Sequence, residues 1–95
     1  ATPSRSDYAS SIGEVFEAFD RDGTTRMRLT HADDTTPAGA PSRFRSFVLV
    51  FEPVDGRGLD DGIYGVRRRG VPTHDLFLSN IGGGVTLQAV VNGTA

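Results

Sequence analysis

The sequence contains no cysteine, no tryptophan and no lysine, and a single methionine. Without cysteine there is no disulfide staple and no thiolate metal site, so 95 residues must be held by packing or by partners. That length predicts a single domain, near the lower end of what one hydrophobic core sustains. All ten cations are arginine, which reads first as codon bias in a GC-rich, bacterial genome. Twelve carboxylates bring the net charge to −2, a balance that argues against a general polyanion binder and so against nucleic acid as a partner. No apolar run approaches the ~18 residues of a membrane span, and the opening A-T-P-S-R-S-D lacks a basic region followed by an apolar stretch. The expectation is a soluble chain, cytoplasmic or part of a released or surface particle.

Catalytic and cofactor signatures are also missing. Glu14 to Thr24 resembles the start of an EF-hand, with Asp20, Asp22 and Thr24 at the first, third and fifth loop positions. Thr25 then stands where glycine is needed and His31 where the bidentate carboxylate belongs, so the segment reads as an acidic turn and no metal is expected. His74, Asp75 and Ser79 suggest a hydrolytic trio, but neighbours on a strand point to opposite faces and no nucleophile elbow is present. Gly82-Gly83-Gly84 lacks the G-K-[ST] ending of a phosphate loop. No catalytic residue, no cofactor and no enzymatic activity are expected.

What the sequence does have is Phe44 to Phe51, F-R-S-F-V-L-V-F, its densest block of large apolar and β-branched side chains. An apolar run without alternation predicts a central strand covered on both faces, Phe47, Leu49 and Phe51 one way and Val48 and Val50 the other. Upstream, Tyr8, Ile12, Val15, Phe16 and Phe19 fall at helical spacing, which predicts a helix over 7–19 behind a polar arm, 1–6. Asp7 would cap this helix, or Ser11 a shorter one with Glu14 as its capping-box partner, and the helix would cover one face of the sheet. Further strands are expected at Thr25 to His31, Ile63 to Arg68, His74 to Ser79 and Val85 to Asn92, so that β-structure occupies 25–92. Short turns make the last four strands a meander. The predicted fold is mainly β, in the α+β sense: about five antiparallel strands in a twisted sheet or small barrel, with one N-terminal helix packed on it.

With the strands placed, F-V-L-V-F-E-P, L-D-D-G-I-Y-G-V, T-H-D-L-F-L-S-N-I-G-G-G and L-Q-A-V-V-N resemble a family of small uncharacterised bacterial β-rich domains. The family pattern runs F-x-L-x-F, then G-x-Y, then L-F-L-x-P, then a closing A-V-hydrophobic-N. Ser79-Asn80 departs from the family's proline. The resemblance implies a β-rich fold, no established enzymatic activity and frequent neighbourhood to phage-tail-collar-like proteins.

The expected function is therefore that of a non-enzymatic structural or assembly protein, a small subunit that builds or decorates a phage, a phage-tail-like device or a surface filament. Its partners would be copies of itself or other particle subunits. Contacts are expected from the arm (Ala1, Thr2, Pro3, Arg5), from the polar loop Ala32 to Ser42 (Asp33, Asp34, Pro37) and from Arg67, Arg68 and Arg69, which with Arg26 and Arg28 would form an Arg-rich face. The alternative is a β-barrel module holding a small molecule or peptide in a pocket of about 300 Å³ or more, lined by Tyr64 and Phe77.

Overall fold

The computed structural model describes residues 3–56, 58–81 and 85–94. One short helix, α1 (Arg5–Ala9), precedes six strands: β1 (Val15–Asp20), β2 (Gly23–Asp34), β3 (Phe44–Pro53), β4 (Gly62–Arg68), β5 (Val71–Ile81) and β6 (Thr86–Thr94). All pairings are antiparallel, and the strands close into a barrel in the order β1-β2-β3-β6-β5-β4. The expected β-rich class with an N-terminal helix is what the chain adopts, with six strands in place of five.

The sixth strand comes from the segment expected to be helical, so the helix over 7–19 is corrected. Gly13 takes φ +91°, a left-handed conformation that ends any helix entering it, and Ile12 is 48% exposed although it belongs to the supposed apolar face. Beyond Gly13 the pattern has a period of two: Phe16 and Ala18 are buried, while Val15, Glu17 and Phe19 are only partly covered. Asp7 does not cap the helix from outside. It lies within its first turn and accepts the Ser4 amide at 3.3 Å.

β1-β2-β3 and β4-β5-β6 are each a meander, and β3·β6 and β1·β4 join them. The expected four-strand meander is thereby corrected: β3 takes β6 and not β4 as its neighbour, pairing Phe44 to Phe51 with Thr94 to Leu87. Closure gives every strand two partners. β2 also reaches three residues further than expected. Ala32, Asp33 and Asp34 pair with Leu49, Val48 and Phe47, and the loop that follows is folded back onto Ser46 by the Thr35 amide and the Thr36 hydroxyl. β5 begins three residues earlier than expected, because Val71 pairs with Arg68 across a tight turn at Gly70.

Inside, Phe16, Met27, Leu29, Leu49, Phe51, Leu78 and Leu87 are fully buried, and the Phe16 and Phe51 rings meet edge to face at 5.7 Å. The expectation of cover on both faces of the central strand is corrected. Phe47, Leu49 and Phe51 lie in the core, whereas Val48 and Val50 sit on the outer wall, half-buried. The helix that would have covered them is itself part of the wall. β5 and β6 are paired only through Ser79, Asn80 and Ile81, and α1 lies against β2 and β5. From there Tyr8 reaches into the core, 5.8 Å from the Phe16 ring and 6.2 Å from the Phe47 ring.

Tyr8 is fully buried, and its hydroxyl has no hydrogen-bond partner among the described residues. Burial, with a smaller push from the Asp7 charge, raises its pKa to about 12. The folded state then holds this proton more tightly than the unfolded chain, so its contribution to stability is complete below pH 10 and is lost as the pH rises from 10 to 12. Tyr8→Phe should keep or raise stability at neutral pH, by up to about 1 kcal/mol, because it removes an unsatisfied polar atom. Urea melts at pH 7 and pH 11 will show this, the variant losing less stability than the wild type between the two.

Candidate functional site

Two outer regions of the barrel wall collect side chains that no core requirement explains. The first is apolar. Ile63 on β4 faces Phe77 on β5, and Val48 on β3 faces Val90 on β6. The result is two outward apolar pairs, one on β4 and β5 and one on β3 and β6. Ile63, Phe77 and Val90 are 68%, 56% and 56% exposed, which marks them as outward-facing and not as slack core residues. Large apolar side chains placed side by side on an outer wall characterise a contact surface, whereas single ones are ordinary.

The second region is a cleft of about 440 Å³ over β1, β2, β4 and the start of β5, lined by Val15, Glu17, Arg26, Arg67, Arg68, Arg69 and Thr73. Pairing makes this neighbourhood: Glu17 lies between Arg26 on β2 and Arg67 on β4. Arg67 Nε donates to Glu17 Oε1 at 2.8 Å, and its guanidinium stands 4.3 Å from the centre of the Phe19 ring. Arg68 donates to Glu14 Oε2 at 2.9 Å and to the Val15 carbonyl at 3.1 Å. Arg28 donates to the Gly13 carbonyl at 2.6 Å. Arg26 and Arg69 are exposed, with no side-chain partner among the described residues. Glu17 and, through Arg68, Glu14 thus face the four guanidinium groups of the cleft.

Phe19 can lie flat because Gly65 is opposite it. A Cβ at Gly65 would clash with Phe19 Cζ. Gly65→Ala should therefore push the ring off β4 and unseat Arg67, lowering stability by about 1 kcal/mol, the low end for overpacking because the ring can swing toward solvent. Thermal melts of Gly65→Ala and of Gly65→Ala with Phe19→Ala test this: the loss caused by Gly65→Ala should shrink once Phe19 is gone.

At the other end of β1 and β4, a depression of about 310 Å³ is lined by Asp20, Asp22, Asp60, Tyr64 and neighbours. Asp20 accepts the Asp22 amide at 2.8 Å, an ordinary acidic turn. Tyr64 donates to the Asp60 carbonyl at 2.7 Å. Its pKa is raised first by desolvation and then by Asp20, Asp60, Asp22 and Asp61, so the carboxylate fields converge there. Asp61 is drawn below the usual carboxylate range by the Asn80 amide and side chain. No group of three or more metal-ligating side chains occurs among the described residues.

The structure brings Arg67, Arg68 and Arg69 together with Arg26 in one cleft. Arg5 does not join them, because its Nε donates to the Ala32 carbonyl at 2.7 Å and so ties α1 to β2. Pro3 is half-buried just before α1, while Ala1 and Thr2 lie outside the described residues, as does the Gly82-Gly83-Gly84 turn. Asp33 and Asp34 belong to β2 and not to a loop. The Thr36 amide and then its hydroxyl hold the Asp34 carboxyl below its usual pKa. Pro37 remains in the loop, where its carbonyl accepts the Ala40 amide. His74 and Asp75 occupy successive positions on β5, opposite Val66 and Gly65, and Ser79 donates to the Gln88 carbonyl, so the three form no relay. Tyr64 and Phe77 face different ways: Tyr64 is buried at the acidic end and Phe77 is exposed.

Sequence reasoning missed these pairs as a surface, because only the register sets Ile63 against Phe77 and Val48 against Val90. No helix among the described residues is long and apolar enough to cross a membrane. Neither a curated protein nor a solved structure matches the chain. A family model does match, over residues 3–91, and the chain belongs to that family, described as Domain of unknown function (DUF6916).

Proposed function

We propose that this chain is a non-enzymatic assembly subunit, a small barrel that builds or decorates a larger particle by presenting its outer wall to other protein subunits. The observation that carries the reading is the two outward cross-strand pairs, Ile63 with Phe77 and Val48 with Val90, apolar side chains on the outside of a barrel whose inside is already filled. Burying such pairs against a partner stabilises the contact by roughly 25 cal/mol per Å² of apolar surface removed from water. The resemblance to domains that neighbour phage-tail-collar-like proteins points to a phage-tail-like device as the setting.

Sedimentation of the protein from about 1 to 100 µM tests the reading. Mass above the 10.1 kDa monomer that grows with concentration is the expected result. A monomer throughout, with Ile63 and Phe77 reactive to a soluble carbene label at every concentration, contradicts it.

A further inference from the structure

We propose that the arginine cleft is the receiving half of a head-to-tail contact, and that its occupant is the acidic end of a second copy of this chain. This deepens the assembly reading and rests on it. β1 and β4 are antiparallel neighbours, so both run between the same two ends of the barrel. Arg67, Arg68 and Arg69 lie where β4 finishes and β1 begins. Asp20, Asp22 and Asp60 lie where β1 finishes and β4 begins. The wall is thus polarised along its strands, with an arginine-lined cleft toward one end and an acidic rim at the other.

Within the cleft, Glu17 and Glu14 occupy Arg67 and Arg68, and these ion pairs hold both guanidinium groups still. Arg26 and Arg69 supply the positive charge left over. At the acidic rim Arg21 lies among the three aspartates, and the side chains of Asp22 and Asp60 make no hydrogen bond among the described residues. Guanidinium forks receive carboxylates in paired hydrogen bonds. A nucleic acid fits less well, because a continuous phosphate chain leaving this short cleft would meet a surface of net negative charge. A contact between unlike patches of the same chain is heterologous, so it propagates into a ring or a filament and does not stop at a dimer.

The test uses two doubly substituted proteins, Arg26→Glu with Arg69→Glu, and Asp22→Arg with Asp60→Arg. All four positions are exposed, so folding should survive, and circular dichroism checks it. At low salt the wild type should sediment as chains longer than a dimer and shift toward smaller species as salt rises to about 0.5 M, where exposed charges are screened. Each variant alone should lose the extended species. Mixed in equal amounts, the intact rim of the first meets the intact cleft of the second and the two reversed patches are themselves of opposite charge, so species longer than a dimer should return. Unchanged sedimentation of both variants overturns the proposal, as does a mixture that stays unpaired. If association survives both reversals but is abolished by Phe77→Ser, the head-to-tail contact is refuted and the assembly reading stands. Cleft-dependent binding of a short single-stranded DNA without self-association refutes the protein occupant.

Discussion

Phe51→Ala should cost about 3–5 kcal/mol of folding free energy, the range found for deleting a buried aromatic ring. Phe51 is fully buried, stands edge to face with Phe16, and pairs across the wall with Leu29 on β2 and Leu87 on β6, so the cavity would open at the middle of the core. A domain of this size has roughly 5–14 kcal/mol of stability to lose. The melting temperature should therefore fall by roughly 15–30 °C, if the variant folds at all. Val50→Ala, one residue earlier on the same strand, should cost less than about 1 kcal/mol, because Val50 faces outward and is only half covered. Equal losses at the two positions would restore the picture of a strand sheltered on both sides.

Replacing Phe77 by serine and Ile63 by threonine should abolish the association expected of the wild type while leaving the fold intact. The two side chains form one cross-strand pair, worth about 0.2–1 kcal/mol to the sheet itself. Neither enters the core. Aromatic side chains at the centre of a contact carry a disproportionate share of its energy, commonly about 2 kcal/mol or more, which is a thirtyfold change in dissociation constant for each such residue. A double variant that associates like the wild type would move the contact elsewhere on the barrel, and one that unfolds would show the pair to be structural. Thermal melts beside the sedimentation runs separate these results.

The strands were legible where alternation was clean. Met27 and Leu29 on β2, Leu76 and Leu78 on β5, and Leu87, Ala89 and Val91 on β6 all lie inside as their period of two requires. The segment before Asp20 was misread because Tyr8, Ile12, Val15, Phe16 and Phe19 satisfy helical spacing by coincidence. Its true inward partner to Phe16 is Ala18, too small to register as part of an apolar pattern. The central strand was misread for a different reason. An unbroken run such as Val48-Leu49-Val50 shows that both faces are apolar, but it does not say that both are covered, and here the second face is the outer wall.

Strand order was beyond reach, since local pattern carries no information on whether β3 takes β4 or β6 as its neighbour. The arginine cleft was half legible: Arg67, Arg68 and Arg69 are adjacent in sequence, whereas Arg26 joins them through the register with Glu17. The outward apolar pairs required the registers of β4 with β5 and of β3 with β6.

The outer wall as the working surface is tested most directly by a dilution series of amide spectra at about 0.5 M salt, where the charged contact is suppressed. The amides of Ile63, Phe77, Val90 and Val48 should shift or broaden together as concentration rises, while those of Leu49 and Leu78 inside the wall keep their positions. Spectra that do not change with concentration, or changes confined to other strands, would contradict it.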